Sequence, residues 1–144
     1  QFLMRRRDFI KKSCLSCAGI LGGISAVNIL SGCTAIPALK ITSKSSEIEI
    51  PENSFLPEQN LLIIKNSNLE FDILLVKKKD GTYNALYMQC SHESQPLSAT
   101  KSGLYCSSHG SSFDLEGKVL LQPALTNLRK FKVEATNGII KLYL

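Results

Sequence analysis

Cys90-Ser91-His92, a gap of thirteen residues, and then Cys106-Ser107-Ser108-His109 contain both histidines of the chain. Each short segment offers one thiolate and one imidazole. Thiolate sulfur is a soft, anionic donor and neutral imidazole a borderline, uncharged one, so the four side chains read as a metal-ligand set. Two Cys and two His most often mean structural zinc, but a zinc finger pairs C-x-x-C with H-x-x-x-H. Here the order is Cys-His-Cys-His, with unequal spacings of C-x-H and C-x-x-H.

The residues after the second pair narrow the reading. His109-Gly110-Ser111-Ser112-Phe113-Asp114 closely resembles the second box of the Rieske family, C-P-x-H-G-S-x-F/Y-D. Gln122-Pro123-Ala124-Leu125 sits where that family has a proline-bearing loop over its cluster. The segments 128–135 and 138–142 resemble the two strands that close a Rieske domain. The resemblance covers approximately residues 41 to 144, specifically in the last half and generically before residue 85. It implies one 2Fe-2S cluster ligated by Cys90, His92, Cys106 and His109, with Gly110, Ser111, Phe113 and Pro123 around it. Two imidazoles in place of two thiolates leave such a cluster less negative, which places its potential in a window of roughly −150 to +300 mV. Ser111 matches the family's serine that donates to a bridging sulfide. Gly110 is expected to bring backbone amides close to sulfur, or else to serve as an ordinary turn glycine. Phe113 is expected to pack beneath the loop, and Asp114 to order the turn after the box.

The chain departs from the Rieske proteins of cytochrome bc complexes at several positions. Their two clamp cysteines correspond here to Gln95 and Ser108, so no disulfide braces the loops, and Phe113 replaces a tyrosine whose hydroxyl bonds a ligand sulfur. Hydrogen bonds to sulfur favour the reduced state, so one donor kept and one lost predicts an intermediate-to-low potential for the family. Glu93 stands where bc-type proteins have an apolar residue, and a carboxylate there disfavours an apolar quinol pocket.

The first residues read as an address. Arg6-Arg7-Asp8-Phe9-Ile10-Lys11 fits the twin-arginine pattern R-R-x-F-L-K with Ile for Leu, an apolar stretch runs from Cys14 to Leu30, and Leu30-Ser31-Gly32-Cys33 resembles a lipobox. Basic, apolar and small-residue regions in this order make a signal peptide. Export of an already folded chain suits a cluster assembled in the cytoplasm. Cys33 is the expected lipidation site; the competing reading is an uncleaved transmembrane anchor, at the short end of the roughly 17–25 residues needed. Cys14 and Cys17 fall inside the apolar signal and read as incidental.

The formal net charge of +5 is misleading. Residues 1–32 hold five basic residues and one acidic, net +4; residues 33–144 hold twelve basic and eleven acidic, net +1. With no basic patch interleaved with aromatics, a nucleic-acid partner is excluded. The expected organisation is a signal at 1–32, a tether at 33–46, and the Rieske domain at 47–144. The fold expected is all-β: stacked antiparallel sheets with a two-loop cluster-binding subdomain. Glu47–Ile50 alternates polar and apolar, 61–64 and 71–76 are apolar runs of strand length, Lys79-Asp80-Gly81-Thr82 and Asn137-Gly138 are hairpin turns, and 83–89 and 103–105 lead into the ligand loops. Lys77-Lys78-Lys79 reads as a solvated hairpin end, with a docking patch as the alternative.

These features together predict a membrane-tethered one-electron carrier exported by the twin-arginine route to the periplasmic or cell-surface side. It is expected to be a subunit or partner of an exported respiratory oxidoreductase rather than a stand-alone enzyme. The expected partners are a cytochrome, a quinol-linked donor or a molybdenum oxidoreductase, together with the membrane at the N-terminus. The alternative is a bc-type quinol-oxidising subunit. A cytosolic ferredoxin for a ring-hydroxylating oxygenase fits the domain but not the signal.

Overall fold

The apolar run Ile73-Leu74-Leu75-Val76 is too continuous for a strand with one wet face, and its environment explains it. In the computed structural model, which describes residues 35–144, all four side chains are buried. Ile73 and Leu75 point into one apolar cluster, with Ile50, Ile64 and Ile140 among its members. Leu74 and Val76 point into a second, with Leu86, Leu104 and Phe113. The strand is therefore a partition with a core on either side.

The described residues form eleven strands, this partition among them. The larger sheet contains β1 (Ala38–Ile41), β2 (Glu47–Pro51), β3 (Leu61–Asn66), β4 (Ile73–Lys77), β5 (Tyr83–Tyr87), β10 (Lys130–Thr136) and β11 (Ile139–Tyr143), in the order β1-β3-β4-β5-β10-β11-β2. The smaller is a meander of β6 (Ser98–Thr100), β7 (Gly103–Tyr105), β8 (Ser112–Phe113) and β9 (Val119–Leu121). The expected all-β architecture is what the chain adopts. Every pairing is antiparallel except β1 with β3, which is parallel. β2 and β11 keep the expected alternation: Ile48, Ile50, Ile140 and Leu142 face inward, and the residues between them are more accessible. Asn137 and Gly138 both take positive φ in the two-residue turn between β10 and β11, the geometry that matches strand twist.

Within the segment 33–46, expected as a tether, Ala38–Ile41 is a strand in register with Ile63–Asn66. Leu39 and Ile41 pack on the first core. Four residues are too few to give a readable period; the strand exists because the edge of β3, more than twenty residues away, offers unpaired backbone groups. The twin-arginine motif, the lipobox and Cys33 lie outside the described residues. Among the described residues, no helix is long and apolar enough to cross a membrane.

The smaller sheet is closed by tight contacts. A side chain on Gly103 would collide with the backbone carbonyl of Phe113, so only glycine lets β7 approach β8 there. Gly81, by contrast, needs only its positive φ of 82° and faces open space. Gly103→Ala should therefore destabilise the domain by about 2–3 kcal/mol through overpacking, and Gly81→Ala by about 1 kcal/mol through backbone strain. Chemical denaturation midpoints at unchanged m-value would measure both; equal effects would contradict the steric argument.

Candidate metal centre

Two hairpin tips carry the four donors. β5 runs through Tyr87 into Met88, Gln89 and Cys90, and the loop turns back through a bridge between Gln89 and Pro96. Cys90 N–H donates to Gln95 O at 2.8 Å, and Leu97 N–H to Met88 O at 2.9 Å, which closes the first loop. The second loop joins β7 to β8. Cys106 N–H donates to Ser111 O at 2.8 Å, and Gly110 N–H to Cys106 O at 2.9 Å. Backbone bonds thus close both loops, and among the described residues Cys90 and Cys106 are free thiols.

The two kinds of donor are sorted by environment. Cys90 and Cys106 are buried, at 2 % and 0 % exposure, in the second core. His92 and His109 are exposed. The two sulfurs lie within hydrogen-bonding reach of each other, and the two imidazoles meet edge to face, with centroids 5.0 Å apart. Among the described residues no three Cys, His, Asp or Glu side chains converge on one metal-ion position. A sulfide-bridged diiron centre asks for two protein donors at each iron, and two sulfurs side by side with two imidazoles side by side meet that demand. The donor set therefore fits a 2Fe-2S cluster in chemistry and in grouping.

Electrostatics at Cys90 shifts its thiol toward thiolate. Burial pushes the Cys90 thiol up, but the backbone N–H groups of His92 and Glu93, with Cys106 and the Ser111 hydroxyl, outweigh it and hold the thiol below its ordinary range. A ligand must be deprotonated to bind metal, so this preparation helps assembly. Ser111 is fully buried. Its Oγ accepts the Ala124 N–H at 3.0 Å, which leaves its own hydrogen for sulfur. One hydroxyl thus links the second ligand loop, the first cysteine and the proline-bearing loop.

The chain belongs to the Rieske [2Fe-2S] domain family. The family model, described as Rieske [2Fe-2S] domain, matches residues 47–132. Among solved structures, the cyanobacterial plasma membrane Rieske protein PetC3 from Synechocystis PCC 6803 is similar with a TM-score of 0.57 at 20 % identity, over 67 % of this chain and 99 % of that one. A chain of the complex of reduced oxygenase and oxidized ferredoxin in carbazole 1,9a-dioxygenase gives 0.52 at 16 % identity, over 68 % and 93 %. The quaternary ammonium Rieske monooxygenase CntA gives 0.54 at 22 %, but this chain spans only 31 % of its length. At such identities the likeness is one of fold. No curated protein matches the sequence at a significant level.

The other residues singled out in the sequence lie in or beside the two ligand loops. Phe113 is a core residue at 1 % exposure. Asp114 orders the following turn, its Oδ1 accepting the N–H groups of Glu116 at 2.9 Å and Lys118 at 2.8 Å. Pro123 follows a cis peptide bond in the loop that Ser111 anchors. Gly110 donates its N–H to Cys106 O, and its φ of 84° is that of a turn glycine, the second of the two roles expected for it. Two contacts escape sequence reasoning. Ser91 Oγ donates to Thr126 O at 2.5 Å, which ties the first ligand loop to the proline-bearing loop. Glu93 Oε2 lies 3.6 Å from His109 Nε2, across the gap between the ligand loops. Neither has a signal in sequence, because each partner is set by how separate loops pack. The lysine run is no free basic patch: Lys77 pairs with Glu52 at 2.6 Å and Lys78 with Glu116 at 3.0 Å.

Ser111→Ala removes the donor to sulfur and orphans the Ala124 amide. A retained cluster at a lower potential is expected, read by redox titration, together with a loss of about 1–3 kcal/mol in stability. An unchanged potential would confine Ser111 to bracing the loop.

Proposed function

We propose that this chain is a membrane-tethered one-electron carrier acting outside the cytoplasmic membrane, as a subunit or partner of an exported respiratory oxidoreductase. The observation that carries the reading is the sorting of its donors: sulfurs buried in the scaffold, imidazole edges exposed at the hairpin tips. Bound by Cys90, Cys106, His92 and His109, a 2Fe-2S cluster supplies a reversible one-electron couple. The chain's own part is to hold the donors still and to expose one side of the site. The backbone bonds within each loop keep reorganisation small, and the exposed imidazoles shorten the path to a partner.

The N-terminal sequence supports export and anchoring: the twin-arginine pattern precedes an apolar stretch and Cys33 in a lipobox. Of the similar structures, one is by description a plasma membrane Rieske protein, and another is a complex between a ferredoxin and its oxygenase. Both fit a carrier that works against a partner. The bc-type alternative is disfavoured by Glu93, whose carboxylate lies beside His109 at the tip where an apolar quinol pocket would have to close.

Full-length protein reduced with dithionite should give a Rieske-type paramagnetic signal, with a midpoint inside roughly −150 to +300 mV. Cys90→Ser and Cys106→Ser should each abolish it, because serine is a hard and poorly acidic donor. Folded, metal-replete protein that binds only zinc would overturn the reading. Mass spectrometry of membrane-extracted chain should find it beginning at a lipidated Cys33; a mature chain that retains Arg6 and Arg7 would replace the lipid with an uncleaved anchor.

A further inference from the structure

Leu125 is the most exposed large apolar side chain among the described residues, at 82 %, and Leu120 and Leu121 come next at 63 % and 59 %. A lone exposed leucine is ordinary, but three within six residues beside a redox centre are not. Their position is fixed rather than incidental. On one side of Leu125, Ala124 N–H donates to Ser111 Oγ, two residues beyond His109. On the other, Thr126 O accepts from Ser91 Oγ, one residue before His92. The backbone around Leu125 is thus pinned to both ligand loops while the side chain is left in solvent. Leu121 stands opposite Ser112, at the base of the second ligand loop. With its backbone already ordered, Leu125 gives up only side-chain rotamer freedom on contact, which keeps the cost of docking low.

Charge defines what can sit there. In the segments 90–96, 106–112 and 120–128 the only acidic or basic side chain besides the two histidines is Glu93. It is 58 % exposed at the edge of the imidazole pair. The lysines at the far end of the β4–β5 hairpin are largely engaged with Glu52 and Glu116 and add no field at the tip. We infer that Leu120, Leu121 and Leu125 form the docking surface for the electron-exchange partner, a redox protein presenting an apolar, nearly uncharged face with one basic side chain opposite Glu93. This rests on the electron-carrier reading and names the chemistry of its partner. Docking of this kind depends on shape and apolar contact, so it responds weakly to salt.

The test uses full-length wild type, Leu125→Ser, the Leu120→Ser/Leu121→Ser double variant and, as a control, Leu56→Ser, an exposed leucine (51 %) away from the ligand loops in sequence. Each is produced in its own membranes and reduced. Reoxidation through the membrane-bound partner is timed by absorbance, and ferricyanide serves as the small oxidant, each cluster giving one electron to one ferricyanide. The tip variants should exchange with the membranes about tenfold more slowly or worse, while their spectrum, potential and ferricyanide rate stay at wild-type values. Leu56→Ser should match wild type throughout. The wild-type membrane rate should change by less than about twofold between roughly 0.05 and 0.5 M salt. Equal rates in wild type and tip variants would overturn the docking surface, as would a steep fall with salt. A Leu125-dependent self-association, or Leu125-dependent binding to phosphatidylcholine vesicles, would assign the leucines to a second copy or to lipid and overturn it too. A loaded wild type that reduces ferricyanide yet exchanges nothing with the membranes would remove the carrier reading and the surface with it, a result distinct from equal rates.

Discussion

Cys90 and Cys106 are buried in the apolar layer that joins the two sheets, and the rest of the site depends on that. Their neighbours in this layer include Leu74, Leu86, Leu104 and Phe113, from four different strands. Sulfur is apolar enough to belong there as a thiol and becomes a ligand when metal draws off the proton. The metal-binding end is therefore continuous with the core. A change that loosens the layer between β4 and β7 moves a sulfur, and with it the relation between the two ligand loops.

The same constraint governs how the ligand loops are held. Each ligand loop is a closed hairpin with its own backbone bonds, and each springs from a strand packed on both cores or against the partition. Cross-links between loops are single polar contacts: Ser111 to Ala124, Ser91 to Thr126, and Glu93 beside His109. A buried hydrogen bond contributes about 1 kcal/mol net and costs more than that to orphan. Several such bonds hold the geometry locally, and the core beneath supplies the stiffness.

Exposure is distributed in the opposite sense. Imidazole edges and three leucines face outward at the same end of the molecule, while the hairpin lysines are mostly paired with carboxylates elsewhere. A carrier must approach its partner closely and then leave. A small apolar surface with little charge suits that, because it excludes water at the contact without the strong fields that would hold a complex together.

The sequence by itself determined the chemistry. Two Cys-His pairs, with the run from Gly110 to Asp114 after them, specified a candidate donor set and the family, since ligand identity and local spacing are properties of contiguous residues. It also determined most strands, because alternation in Glu47–Ile50 and unbroken apolarity in 73–76 report one or two buried faces directly. Only the tertiary structure decided that Ala38–Ile41 joins the sheet, that the Gly110 amide bonds Cys106 O, and that Ser91 reaches Thr126. It alone decided, too, that Leu125 is pinned outward between the ligand loops. Each of these depends on which distant backbone or side chain comes within hydrogen-bonding distance, and that distance is set by packing between elements, which no local pattern encodes.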